Sequence, residues 1–276
     1  MRGARPVKLS VLGAASALAL FAPVMVAQTP EEQANAKTWI GKAAEYEEYL
    51  RTAEVVKMED IGVGVTHPHR AYLKPGGPFE SMAWKPIKPG KYEGFQESYK
   101  SEIAAYEIDK LLELNMVPPT VERTIKGETG AAIMWCSPTK NFKEMGSKGG
   151  VPPAPPRYAA TWSHQISRAK LFDNLIGNVD PNLGNWLTDP GWDLILIDHT
   201  RALTSTKDMP HKLMTVDAAL WDRMKALDEA KLTAAVGKWL DKGQIKAILE
   251  RRDKLAQDID KLVKSTPGGA DAVFFK

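Results

Sequence analysis

Apolar residues recur along the chain with two regular spacings, and these predict its secondary structure. In 31–56 they recur at helical spacing and predict one helix. The stretches 70–73 and 81–87 are β-like in composition and flank a Pro-Gly-Gly-Pro cluster, so they predict a hairpin with two glycines at its tip. The apolar face of 98–114 predicts a second helix, which ends before Pro118.

The rest of the pattern is mainly helical after two further strands. Residues 146–156 hold three glycines and four prolines, which is typical of a loop or of a linker between lobes. A small β-rich half with one key helix, followed by a helical half, predicts an α+β fold of two lobes. The elements predicted here are strands 121–125, 131–135 and 192–197 and helices 158–176, 217–228, 229–239 and 243–264.

The N-terminus has the pattern of a secretory signal peptide over 1–27. Three basic residues precede an apolar run at 9–26, and Ala27 is followed by a polar stretch. We therefore expect export, to a bacterial periplasm or the medium, with no stable membrane span after cleavage. An uncleaved N-terminal anchor is the alternative.

The remaining domain boundaries follow from the shifts in pattern. They predict an N-terminal helix over 28–58, an N-lobe over 59–136 and a C-lobe over 137–276.

Composition and charge narrow the classes of function. The chain is 43% hydrophobic and 26% charged, as in an ordinary globular protein. Removing the three basic residues of 1–27 from the 37 in the chain leaves 34 opposite 34 acidic residues, so charge gives no case for nucleic acid binding. Cys136 is the only cysteine, which excludes an intramolecular disulfide and a cysteine-rich metal site. The five histidines lack ligand spacing, so no zinc site is expected.

The segment 178–203 carries the most specific chemical pattern. Asp180 is followed five residues later by Asn185 in a loop after an apolar helix, and Asp198 ends a very apolar strand. This order is typical of a kinase centre, where the first Asp accepts the proton of the attacking hydroxyl and the other two residues hold a metal ion. Separately, Asp180 and Asp198 have simpler explanations as a turn former and a strand-ending cap.

The first half contains residues suited to nucleotide binding. Lys85 ends the second strand of the hairpin, and Glu102 in the next helix could orient it, with Glu107 as the alternative partner. Gly76 and Gly77 could let backbone amides approach phosphates, although a hairpin tip is often only a turn. The backbone of Met134, Trp135 and Cys136, where a strand meets the connection between lobes, could bind adenine.

Four stretches resemble an atypical kinase group that includes HipA-type kinases, secretory-pathway (Golgi) protein kinases and phosphatidylinositol 3-/4-kinase-like bacterial proteins. They are 99–112, 116–123, 172–180 and 197–202. The resemblance implies a two-lobed kinase fold, ATP and a divalent metal, Mg²⁺ or Mn²⁺. By position it implies that Lys85 binds phosphate, Glu102 pairs with it, Asp180 is the catalytic Asp and Asp198 binds metal.

One departure from the group's pattern keeps the function open. The group usually has Asp-Arg-His where this chain has Asp180-Pro181-Asn182. We therefore expect an ATP- and metal-dependent phosphotransferase acting on a hydroxyl of an unknown protein or small molecule. The alternatives are an inactive, nucleotide-binding pseudokinase that serves as an interaction module, and a nucleotidyl (AMP) transferase.

Overall fold

The structure is a computed structural model that describes residues 35–62, 68–180, 182 and 184–276. The predicted signal peptide at 1–27 lies outside the described residues. Within the described ranges, no helix combines the length and the apolar character needed to span a membrane.

An antiparallel five-stranded sheet forms the N-lobe, in the order β1-β2-β3-β7-β6. The small hairpin β4–β5 lies between β3 and the next helix along the chain. The predicted hairpin of β2 and β3 and the predicted strands β6 and β7 are confirmed. The strands of this lobe are β1 (Val55–Asp60), β2 (His69–Leu73), β3 (Ser81–Lys85), β4 (Gly90–Tyr92), β5 (Phe95–Glu97), β6 (Thr120–Ile125) and β7 (Glu128–Met134).

Two helices pack against this sheet, α1 (Ala43–Thr52) and α2 (Tyr99–Leu111). Because successive side chains of a strand point to opposite faces, Met82 of β3 packs in the cluster that contains Leu50 of α1. On the other face, Ile103 of α2 packs with Ala131 and Ile133 of β7. The helix predicted over 98–114 is therefore confirmed, and α2 lies on the sheet face from which Lys85 also projects.

The single helix predicted over 31–56 is wrong at both ends, because residues 35–42 form turns and irregular structure and the helix begins at Ala43. The helix α1 ends at Thr52, and Val55–Asp60 forms the edge strand β1. Pairing with β2 supplies the ladder hydrogen bonds, and the Tyr72 hydroxyl donates to Glu59 across the pair at 2.8 Å. Tertiary pairing overrides local helix propensity here, so the sheet begins before the predicted boundary at 59.

The C-lobe contains a small sheet in the order β10-β9-β8 and a set of helices. The four helices predicted for this half are present, and the short helix at Ala270–Val273 was not predicted. Because β8 already belongs to this lobe, the Gly/Pro-rich stretch 146–156 is a loop within the C-lobe and not the linker between lobes. The elements are β8 (Lys140–Asn141), α3 (Ala159–Ile176), β9 (Trp186–Thr188), β10 (Leu194–Leu196), β11 (Val216–Asp217), α4 (Ala218–Lys225), α5 (Glu229–Val236), α6 (Lys242–Ser265), α7 (Ala270–Val273) and β12 (Phe274–Phe275).

Candidate functional site

Three of the predicted site residues meet at the end of β3. The ammonium nitrogen Nζ of Lys85 lies 2.6 Å from Oε1 of Glu102 and 2.8 Å from Oδ1 of Asp198. Lys85 and Glu102 are almost completely buried, at 8% and 2% exposure. Glu107, the alternative partner, pairs with Lys110 instead, at 3.0 Å. The structure therefore joins β3, α2 and the end of β10 through one lysine.

Charge balance keeps the buried Lys85 and Glu102 ionised. Burial alone would lower the pKa of Lys85, but the carboxylates of Asp198 and Glu102 outweigh it and hold that pKa above its ordinary value. Burial alone would raise the pKa of Glu102, whereas the charge of Lys85 and the contact with His199 lower it to about 2. A cation facing two carboxylates is thus present throughout the physiological pH range.

Backbone hydrogen bonds hold the segment after β10 against α2. The N–H of His199 donates to Oε2 of Glu102 at 3.0 Å, and the N–H of Ser98 donates to the carbonyl of Thr200 at 3.0 Å. Asp198 itself has a φ of 65°, in the left-handed region that aspartate adopts more readily than most non-glycine residues. Glu102 therefore fixes Lys85 with one carboxylate oxygen and the Asp198 segment with the other.

The ring of His199 is buried below this segment. It packs edge-on against Phe172 with ring centroids 6.2 Å apart, and neither ring nitrogen has a hydrogen-bond partner among the described residues. Nδ1 of this ring lies 3.7 Å from Oε2 of Glu102, so the ring lies between Phe172 and the buried carboxylate.

Asn185 lies beside the strand that leads into Asp198. Its carbonyl accepts the N–H of Ile197 at 3.0 Å, and its own N–H donates to the carbonyl of Asn182 at 2.9 Å. The side-chain nitrogen Nδ2 is buried and has no hydrogen-bond partner within the described ranges. The Asn185 backbone is therefore pinned next to Asp198, while its amide group retains an unused polar atom.

These two residues fit a hard divalent cation. The position of the unpartnered Nδ2 of Asn185 can equally be taken by Oδ1, because a half-turn of the amide group interchanges two atoms of nearly equal size. An oxygen at that position could bind a cation. The Asp198 side chain is 41% exposed and so can accept a ligand. Mg²⁺ usually takes one or two protein oxygens and completes its shell with water and phosphate. One carboxylate and one amide would supply two such oxygens. Among the described residues, no three His, Cys, Asp or Glu side chains are placed to hold a metal.

The chain reaches Asp180 through a turn that requires glycine. Gly177 ends α3 with a φ of 61°, and a Cβ there would lie 2.9 Å from Cζ of the buried Arg251. Beyond it, the N–H of Asp180 donates to Oδ1 of Asn178 at 3.3 Å, and Asn178 Nδ2 donates to the buried Asp173 at 3.2 Å. The end of α3 thereby sets where the loop carrying Asp180 begins.

Asp180 has a partner to which the sequence had assigned no role. A terminal nitrogen of Arg201 lies 3.2 Å from Oδ2 of Asp180, and Nε of Arg201 lies 2.9 Å from Oε1 of Glu97. Arg201 follows Asp198 closely, which was the one available signal. Glu97 precedes Arg201 by 104 residues, and no local pattern marks it as a partner.

The structure places Gly76 and Gly77 at the wrong end of the sheet for a phosphate held by Lys85. The β2–β3 turn adjoins Ser81, whereas Lys85 ends β3, roughly 13 Å further along the strand. A Cβ on Gly77 would lie 2.0 Å from the Tyr49 ring, so packing against α1 explains that glycine. This part of the prediction is corrected. The connection at the Lys85 end of the sheet is the one between β1 and β2.

The segment 134–136 joins the two lobes, as predicted. The N–H groups of Met134 and Trp135 already donate to the carbonyls of Pro119 and Ser81, at 2.9 and 3.1 Å. Burial raises the pKa of the Cys136 thiol to about 12, so the sulfur is neutral and not a nucleophile at physiological pH.

A five-stranded antiparallel sheet, a helix whose glutamate pairs with a strand lysine, and an aspartate facing that lysine from a helical lobe define a protein-kinase-like fold. Solved structures share it. A Golgi casein kinase is 14% identical with a TM-score of 0.62, over 84% of this chain and 77% of that chain. A hydra Fam20 whose structure includes a sugar is 16% identical with a TM-score of 0.63, over 85% and 93% of the two chains.

A bacterial kinase shares the fold as well. The proinflammatory kinase CtkA of Helicobacter pylori is 13% identical with a TM-score of 0.53, over 79% of this chain and 99% of that chain. No family model and no curated protein matches the chain. At these identities the likeness shows the fold, which is protein-kinase-like. The predicted kinship with HipA-type and phosphatidylinositol 3-/4-kinases stays a prediction.

Proposed function

We propose that this protein is an ATP- and divalent-metal-dependent phosphotransferase that moves the γ-phosphoryl group of ATP to a hydroxyl of a protein or small molecule. The contact of Lys85 with both Glu102 and Asp198, inside a kinase-like fold, carries the proposal. A Golgi casein kinase with this fold has been solved with Mn and ADP bound, which supports nucleotide and metal binding by a chain of this fold.

Each residue of the cluster has a distinct part in this proposal. Lys85 binds the phosphates of ATP and is held toward them by Glu102. Asn185 and Asp198 hold Mg²⁺ or Mn²⁺, which would neutralise charge on the phosphate oxygens. The two oxygens of the buried Glu102 are occupied by Lys85 and by the His199 backbone, which keeps the lysine in a fixed position.

Asp180 acts on the acceptor. The acceptor oxygen forms a bond to the γ-phosphorus while the bond from that phosphorus to the β–γ bridging oxygen breaks, so ADP leaves. The proton of the acceptor hydroxyl goes to Asp180 and then to solvent. The Asp180 side chain is 32% exposed, which lets an acceptor reach it.

The adenine ring is placed at the connection between lobes. Because the N–H groups of Met134 and Trp135 are engaged, we assign the adenine contact to the N–H of Cys136 and to carbonyl oxygens of this segment. The proposed adenine contact therefore stays within 134–136, but the N–H donor is limited to that of Cys136.

Transfer to a native cell extract tests the proposal. Purified protein is given Mg²⁺ or Mn²⁺ and ATP labelled in the γ-phosphoryl group, with Asp180→Ala as the control. We expect a product that gains the mass of one phosphoryl group with wild type and not with Asp180→Ala. A product that gains AMP would instead establish nucleotidyl transfer, and absence of both ATP turnover and ATP binding would refute the proposal.

A second candidate is a nucleotide-binding protein that performs no transfer. Pro181 and Asn182, which follow Asp180 in place of Arg and His, favour it. An increase of the melting temperature with ATP and metal, but no ADP formed over hours, would select this candidate.

Export is proposed from the pattern of 1–27 and agrees with the Golgi kinase among the structural neighbours. A reporter fused after Gln28 tests it. Activity that depends on translocation is expected, and activity confined to the cytoplasm would contradict export.

A further inference from the structure

Arg201 links the two lobes at the centre of the candidate site. Its guanidinium contacts Asp180 of the C-lobe loop at 3.2 Å and Glu97 of the N-lobe strand β5 at 2.9 Å. The side chain is only 19% exposed, and the ring of Phe95 covers it at 4.3 Å from Cζ. Three contacts therefore fix the position of one guanidinium.

Glu97 is the anchor of this arrangement. It is 3% exposed, so its charge needs partners. Oε1 accepts from Arg201, and Oε2 accepts from the hydroxyl of Thr200 at 3.4 Å. That hydroxyl also lies 3.3 Å from Oδ1 of Asp198. Glu97 therefore holds both Arg201, which contacts Asp180, and Thr200, which contacts Asp198.

The loop that carries Asp180 provides no cation of its own, because Pro181 and Asn182 follow it. We infer that Arg201, anchored by Glu97, is the positioning residue for Asp180. This inference rests on the proposed function. The guanidinium that orients the carboxylate of Asp180 then comes from the segment after β10, three residues beyond Asp198, and not from the loop that carries Asp180.

The geometry leaves Asp180 able to act. Arg201 engages Oδ2, and Oδ1 has no hydrogen-bond partner among the described residues. An acceptor hydroxyl can therefore donate to Oδ1 while Oδ2 stays fixed. The two-pronged contact to Glu97 and Asp180 needs a planar guanidinium, because a lysine ammonium offers a single point charge on a flexible stem.

Substitution of Arg201 tests the inference, because a positioning residue for Asp180 should affect kcat and leave the Kd for ATP nearly unchanged. We expect Arg201→Met to lower kcat about 100-fold, the size of a small misplacement of a catalytic group, while the Kd for ATP changes less than about twofold. Arg201→Lys should recover part of kcat, and Glu97→Gln should lower kcat in the same direction. Arg51→Met, which removes an arginine that is 46% exposed and pairs with Glu47 on α1, is the control.

A double-mutant cycle gives a readout that does not need activity. The effects of Arg201→Met and Asp180→Asn on urea unfolding should be non-additive, since the two side chains touch. Additive effects, or an Arg201→Met variant with wild-type kcat, would overturn the inference. Non-additive effects in a wild-type protein that transfers nothing would support the contact and refute the proposed function instead.

Discussion

The two ends of the candidate site are built differently. At the Lys85 end the charges are buried between a strand and a helix, with Lys85 and Glu102 at most 8% exposed. At the Asp180 end the carboxylate lies on a loop, is 32% exposed, and is held by an arginine that reaches from another loop. Regular elements fix the first end, whereas the second depends on one guanidinium, so we expect the first to govern stability and binding and the second to govern turnover.

The largest expected effect comes from Asp198, which faces Lys85. Asp198→Asn removes the proposed metal ligand and one partner of Lys85. A bound metal is worth several kcal/mol of transition-state stabilisation, which corresponds to a loss of about a thousandfold in transfer rate. The measurement is the initial rate of ADP formation at saturating Mn²⁺. Asp222→Asn, at an exposed carboxylate on α4, is the control, and equal rates for both variants would contradict the assignment.

Removal of the buried glutamate Glu102 should lower the stability of the fold. Glu102→Ala leaves the Lys85 ammonium with one partner and the His199 N–H with none, and breaking a buried ion pair costs about 3 kcal/mol. The free energy of unfolding in urea measures it.

Glu107→Ala on the same helix is the matched control. Its partly exposed pair with Lys110 is worth about 0.5 kcal/mol. Similar losses for the two variants would show that Glu102 has no special place in the fold.

Gly77→Ala tests the corrected role of the hairpin tip. The new Cβ would overlap the Tyr49 ring, so we expect a loss of about 2 kcal/mol in stability, as for overpacking, with unchanged affinity for ATP. Gly150→Ala, where a Cβ meets nothing within 4 Å, should be neutral. A large fall in ATP affinity with intact stability would restore the phosphate role.

The smallest expected effect is the acid sensitivity of the Lys85 end. The pKa of Glu102 in the folded protein, about 2, lies below its ordinary value of 4.5. Its contribution is therefore fully present above about pH 4.5 and is lost as the pH falls toward 2. Between pH 5 and pH 3.5 the loss should be about 1 kcal/mol.

Unfolding titrations at these pH values compare wild type with Glu102→Gln. The variant should lack this part of the pH dependence. Parallel curves for the two proteins would show that Glu102 has no depressed pKa.

The Lys85 end could be predicted from the sequence because its parts are local signals. Lys85 ends an apolar strand, Glu102 lies in the first turn of a capped helix, and Asp198 follows an apolar strand. Each position is set by the periodicity of its own element, and the resemblance to kinases predicted that Lys85 would pair with Glu102.

The rest of the site could not be predicted, because its signals are not local. The strand β1 follows a helix without a break in composition, and its pairing with β2 decides its conformation. Because β1 was not predicted, the glycines proposed to contact phosphate were those of the β2–β3 turn, Gly76 and Gly77, and not those of the β1–β2 connection. Glu97 lies in a short hairpin, and only the folded chain brings it to Arg201.

The affinity for ATP measured by calorimetry in the presence of Mg²⁺ tests the central claim most directly, namely that Lys85, Glu102 and Asp198 form a nucleotide–metal site. Wild type, Lys85→Met, Asp198→Asn and the surface variant Lys74→Met are compared; Lys74 forms an exposed pair with Glu54. We predict measurable binding for wild type and Lys74→Met, and affinity at least about tenfold weaker, or about 1.4 kcal/mol, for the other two. Equal affinity in all four proteins, or no binding by wild type, would contradict the account.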